Sequence, residues 1–289
     1  MSPAACSNLA LLSFVFIATK AKASRLPEVA FVTLRGQRIH YEDTGGAGLS
    51  LVLSHGFLYD TSMFDAQVRQ LRPRHRVITW DQRGHGSTVA TSDTFTYWDS
   101  ADDLAALLDH LGVKRAVLGG MSQGGFISLR FALRYPDRTA GLILIDSQAG
   151  TEDPEKAQQY DLMHDVWVGT GPTDQLTEMV AAIIVGNNRP ESAAWIAKWK
   201  AREPQSLTQI YRALMDRDDV TPRLGEIHAP ALVIHGTEDV AIDMALADRL
   251  CAGLSGCKGV VRIAGGSHSS NMTNPEQVNK AIEEFLASI

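Results

Sequence analysis

The sequence predicts an α/β fold: a mostly parallel sheet with flanking helices and a helical insertion after the sixth strand. Three observations carry this. Short apolar runs alternate with longer stretches of helical spacing along most of the chain, as when strands are buried on both faces by crossover helices. The run ending at Met121 passes through Ser122, set between Gly120 and Gly124, straight into a helical pattern over 126–135. That is a strand–turn–helix of the G-x-S-x-G type. Between residue 150 and about residue 225 the strand pattern stops and only amphipathic helical segments remain.

In chain order, residues 29–34 and 38–43 read as a hairpin around Arg35-Gly36. Gly45-Gly46-Ala47-Gly48 lacks the Lys-Ser/Thr that would follow in a phosphate loop, so it reads as a turn. Residues 51–54 form a buried strand ending in His55-Gly56-Phe57, and 77–80 another, running into Asp81-Gln82-Arg83-Gly84-His85-Gly86. Residues 99–111 have helical spacing and stop at Gly112, a C-cap, with Asp102 and Asp103 read as a solvated face. Residues 116–121, 142–145, 231–234 and 259–263 are further strands, and 275–287 the closing helix.

Inside the insertion, helices are expected over 154–168, 173–185, 192–201 and 205–216. The chain thus divides into a leader at 1–24, a core in two parts at 25–150 and 226–289, and a helical cap at 151–225. Helices inserted in this way lie over the carboxyl edge of the sheet, where open α/β sheets bind ligands. Met163, Trp167, Met179, Trp195, Trp199 and Met215 are read first as cap core and second as pocket wall.

A formal net charge of −6 argues against nucleic acid or an anionic membrane surface as partner. The mature chain offers no apolar run long enough to span a bilayer. Residues 9–18 are nearly unbroken apolar and precede Ala21-Lys22-Ala23, the shape of a signal-peptide h-region with its cleavage site. The preceding segment carries no Lys or Arg, so a disordered or tethering extension stays open, and with it a cytoplasmic or an exported location. Removal of the leader would take Cys6 and leave Cys251 and Cys257, which could close a small disulfide loop or remain free thiols. The chain has no metal-spaced Cys or His cluster, so neither metal nor cofactor is expected.

Ser122 sits where such a turn exposes a hydroxyl and aims the first helical amides at it. A serine hydroxyl is a poor nucleophile, so it needs a histidine to take its proton. The histidine in turn needs a carboxylate on its far nitrogen to orient and stabilise the imidazolium. The residues downstream supply both. Here the chain resembles the α/β-hydrolase superfamily, from about residue 29 to the C-terminus. His55-Gly56-Phe57 is similar to its H-G-x loop, and 81–87 to its D-x-R-G-x-G-x-S loop, with the serine one place early. Val233-Ile234-His235-Gly236-Thr237-Glu238-Asp239 resembles the segment bearing the acid, and Gly265-Gly266-Ser267-His268 the segment bearing the base.

The resemblance implies a catalytic Ser122, Asp239 and His268, with the backbone N–H groups of Phe57 and Gln123 as the oxyanion hole. It makes His55, Arg83 and His85 braces of the loops. Asp146, after the sixth strand, is a rival acid read as the bend into the cap. A serine nucleophile implies hydrolysis of an ester or lactone, since the superfamily's dehalogenases and epoxide hydrolases use aspartate. Perhydrolase, carbon–carbon bond hydrolase and non-catalytic ligand receptor are the alternatives. The expected partner is a small ester or lactone, and the oligomeric state is left open.

Overall fold

The computed structural model describes residues 28–91 and 94–289. The leader, with Cys6 and Ala21-Lys22-Ala23, lies outside the described residues. Eight strands form one sheet: β1 (Glu28–Leu34), β2 (Gln37–Asp43), β3 (Ser50–Ser54), β4 (Arg76–Trp80), β5 (Ala116–Met121), β6 (Thr139–Ile145), β7 (Ala231–Gly236) and β8 (Cys257–Ile263). Their spatial order is β1-β2-β4-β3-β5-β6-β7-β8. The β1–β2 and β2–β4 pairs are antiparallel and the rest parallel. Arg35 and Gly36 both have positive φ, +49° and +78°, as a two-residue turn requires if it is to match the twist of its strands.

Ten helices complete the described chain. They are α1 (Asp65–Leu71), α2 (Tyr97–His110), α3 (Gln123–Arg134), α4 (Pro154–Thr170), α5 (Asp174–Ile184), α6 (Ser192–Lys200), α7 (Leu207–Met215), α8 (Met244–Gly253), α9 (Ser270–Thr273) and α10 (Pro275–Leu286). Between β6 and β7 the described chain is helical, α4 to α7 with short 3-10 turns and no strand. Strand and helix limits lie close to those expected, whereas α1 and α9 carry no periodic signal and were not anticipated. Within these residues, no helix is long and apolar enough to cross a membrane.

The sheet's order places the site. β3 lies between β4 and β5, so chain direction across the sheet reverses at β3 and the loops after β3 and β5 diverge to leave a crevice. Ser54 is in register with Gly120, Met121 with Ile145, and Ile145 with Ile234. The four loops that follow these strands therefore leave the sheet side by side.

Asp102 and Asp103 do not form a solvated face. Asp103 is fully buried and bidentate with Arg83, and Asp102 takes Arg134 and the Tyr135 hydroxyl. The cause is packing: α2 turns Asp103 toward the loop after β4, where the buried Arg83 guanidinium requires a counter-charge.

Candidate active site

Ser122 follows the last residue of β5 and caps α3 with φ +49° and ψ −114°, a conformation held by its surroundings. Its N–H donates to Ile145 O (2.9 Å), and its carbonyl accepts from Ser147 Oγ (2.9 Å) and Gly125 N (2.8 Å). A Cβ at Gly120 would run into the Gly124 backbone, and one at Gly124 into the Ser54 carbonyl. Only glycine lets α3 approach β5 and β3 so closely.

Ser122 Oγ lies 3.0 Å from His268 Nε2, and His268 Nδ1 lies 2.9 Å from Asp239 Oδ2. An ionised carboxylate only accepts, so the Nδ1 proton belongs to His268 and its Nε2 lone pair faces the serine hydroxyl. Asp239 Oδ1 accepts from Ala241 N (2.8 Å) and Ile242 N (3.0 Å), which sets the carboxylate's orientation. Burial opposes ionisation of Asp239, but the charge and hydrogen bond of His268, with His235 and the Ile242 N–H, hold it below the ordinary aspartate range. Burial likewise disfavours the His268 imidazolium. The charge and hydrogen bond of Asp239, with Asp146 and Glu152, outweigh it and raise the group above its ordinary value.

Among the described residues, the N–H groups of Phe57 and Gln123 donate to no other protein group. Phe57 precedes Leu58, at φ +67°, whose carbonyl accepts from Trp199 Nε1 of α6 (2.9 Å). Behind these donors runs a buried chain of hydrogen bonds: Tyr97 hydroxyl to Gln123 Oε1 (3.0 Å), Gln123 Nε2 to Gln82 Oε1 (2.5 Å), and Gln82 Nε2 to His55 O (2.6 Å). It ties the loop after β3 to the start of α3. His55 braces the loop as expected, accepting from Gln82 N and donating to Gly56 O. Arg83 and His85 are buried and bond within their loop and to α2, away from Ser122.

Asp146 does more than turn the chain toward the helical insertion. It is fully buried at φ +47°. Its Oδ1 accepts from Gly236 N (2.8 Å), and its Oδ2 from Ser270 N (2.9 Å) and Ser270 Oγ (2.7 Å). It thereby fastens the start of the Asp239 loop to the helix that follows His268. Burial and the neighbouring Asp239 charge push Asp146 up to about 7. His268 faces Asp239 with Nδ1 and Ser122 with Nε2, so both ring nitrogens are taken without Asp146.

Above Ser122 and His268 lies a cavity of about 110 Å³. Met163 and Trp167 line it; Trp195 and Trp199 are buried in packing, with Trp195 edge-on to Tyr59. Met179 is 45% exposed, so the expectation of cap core fails there, because α5 turns it outward. Sequence reasoning passed over Tyr59, whose hydroxyl bonds Ser269 Oγ (2.7 Å), and the buried Glu152–Arg217 pair (2.7 Å). Neither belongs to a motif; both are long-range contacts.

Residues 50–275 match the family described as the alpha/beta hydrolase fold. The chain belongs to the α/β-hydrolase superfamily. A Caulobacter vibrioides protein provisionally named carbamate hydrolase RutD is 30% identical to it over 260 residues, covering 86% of this chain and 95% of that one. The structure of an esterase from Thermogutta terrifontis aligns with a TM-score of 0.81 and 30% identity, covering 90% of this chain and 98% of its own. An enol-lactonase from Burkholderia xenovorans LB400 aligns with a TM-score of 0.82 and 27% identity, covering 89% and 100%. This α/β-hydrolase is accordingly an enzyme of the hydrolase class, and its relatives carry names for small-molecule substrates.

Proposed function

We propose that this enzyme is a serine hydrolase of carboxylic esters or lactones, with Ser122 as nucleophile, His268 as general base and acid, and Asp239 as the carboxylate that orients it. The observation that carries the proposal is the continuous chain Ser122 Oγ–His268 Nε2 (3.0 Å) and His268 Nδ1–Asp239 Oδ2 (2.9 Å) at the floor of the cavity. In this reading His268 takes the hydroxyl proton as Oγ attacks the substrate carbonyl. Asp239 stabilises the imidazolium that forms. The N–H groups of Phe57 and Gln123 receive the oxyanion, each worth about 3–4 kcal/mol of transition-state stabilisation in comparable sites. Collapse expels the alcohol, which leaves with the proton from His268. Water then repeats the sequence on the acyl-enzyme. Residues 151–225 act as a cap over a core formed by 25–150 and 226–289.

The test is labelling by a fluorophosphonate together with the Ser122→Ala enzyme. Wild type should be labelled at Ser122 and turn over p-nitrophenyl esters. Ser122→Ala should lose on the order of a millionfold in kcat while unfolding at the wild-type midpoint. A folded Ser122→Ala protein that keeps a tenth of the esterase rate removes Ser122 from the role.

A further inference from the structure

The wall of the cavity over Ser122 is apolar on nearly every side. Phe57, Phe126, Met163, Trp167, Ile183 and Leu207 represent it. Among the described residues, neither lysine nor arginine lines it. Among those same residues, the one carboxylate that does is Glu152.

The nearby arginine is not free to receive an anion. Arg217 is buried and spends all three nitrogens inside the protein, on Glu152 Oε1 (2.7 Å), Gly150 O (3.1 Å) and Leu214 O (2.6 Å). His164, also on the wall, uses Nδ1 on Asp165 (3.1 Å) and Nε2 on Thr208 (3.3 Å), and stacks on Tyr211. The Tyr211 hydroxyl is taken by Asp161 (2.6 Å). A substrate carboxylate brought here would lose its water, find no cation to replace it, and face Glu152. Burying an unpaired charge is far costlier than burying an alkyl group of the same length. The volume also sets a scale, since a cavity of about 150 Å³ holds a benzene ring and this one is about 110 Å³.

We infer that the site takes neutral esters or lactones with a short apolar arm, and that Glu152 together with the cation-free wall excludes substrates carrying a carboxylate. This rests on the serine-hydrolase reading above.

The experiment uses two fluorophosphonates that differ only at the end of the alkyl arm, one a methyl and one a carboxylate, with labelling of Ser122 followed by intact mass. The neutral probe should label faster by about a hundredfold or more, the scale of an uncompensated buried charge. The same order should appear in kcat/KM for p-nitrophenyl butyrate over the mono-p-nitrophenyl ester of succinic acid. In Glu152→Gln the Arg217 guanidinium loses its counter-charge beside the cavity, so the discrimination should shrink, whereas Glu152→Asp should retain it. Labelling by both probes at similar rates overturns the exclusion and leaves the serine-hydrolase reading standing. Labelling by neither overturns that reading and this inference with it. Should Glu152→Gln fail to fold, the wild-type probe pair still decides.

Discussion

Asp146 and Asp239 place carboxylate oxygens within 4.8 Å of each other and of His235, in one buried group. Their partners separate their tasks: Asp239 faces the Nδ1 of His268, while Asp146 faces only N–H and O–H donors. Asp239→Asn should therefore cost on the order of 10⁴-fold in kcat. Asp146→Asn keeps an oxygen for Gly236 N–H but turns an amide N–H toward the donors of Ser270. It should cost about 1–3 kcal/mol of stability and leave most of kcat. Steady-state kinetics and urea unfolding of both variants check this, and the opposite ranking in kcat would make Asp146 the acid. The pH profile belongs to the same cluster. His268 must be neutral to act as base, and its pKa is raised. So kcat/KM for an ester should fall as pH drops through a midpoint above the ordinary imidazole value of about 6.5. Asp146→Asn removes a charge that helps raise His268, so it should move that midpoint downward. A profile flat from about pH 4 to pH 9 would remove His268 from the role.

Among the elements, β8 and α8 are joined by a disulfide between Cys251 and Cys257, with Cα atoms 5.4 Å apart. The bridge anchors the start of the strand whose far end leads to His268. Among the described residues β8 is an edge strand paired only with β7, so this anchor adds to a single ladder of hydrogen bonds. The closed loop is short, with a sequence separation of 6, and its entropic contribution is about 2 kcal/mol. Alkylation of the unfolded, unreduced chain should modify neither cysteine, and reduction should lower stability by about that amount. Both cysteines reacting before reduction would show them free. The strands were legible because runs such as Leu142-Ile143-Leu144-Ile145 have no polar alternation and are buried on both faces. α1, with 7 residues, and α9, with 4, are too short to show a 3.6-residue period. Their helicity follows from what they pack against.

Across the whole molecule, the helices between β6 and β7 hold the core's loops as well as covering the cavity. Trp199 of α6 is 2% exposed and donates its indole N–H to the carbonyl of Leu58, one residue past the Phe57 amide. Tyr59 reaches the other way, to Ser269 beside His268 and to the Ile184 carbonyl at the end of α5. The proposed oxyanion donor, the proposed base and the inserted helices are thus one bonded unit. Trp199→Phe deletes the donor and leaves a small void where the indole's second ring packed. It should lower kcat by about tenfold with little change in KM, since small displacements of a positioned group are costly. It should also destabilise by about 1–3 kcal/mol for the orphaned carbonyl. Wild-type kcat in Trp199→Phe would show that the loop holds its shape unaided.

The local features of this protein were written in its sequence: the apolar alternation, the glycines around Ser122, the order of Ser122, Asp239 and His268, and the helical stretch between the sixth and seventh strands. Each depends on residues a few positions apart, where sterics and periodicity act directly. Tertiary structure decided the rest. Asp103 became a buried counter-ion because Arg83 arrives from another loop, and Asp146 became a clasp because Gly236 and Ser270 come to it from across the sheet. Glu152 came to line the cavity with a distant partner, Arg217 from beyond α7. A side chain's charge is fixed by its type, but its partner is fixed by which distant segments share its surroundings, and a buried charge takes its role from that partner.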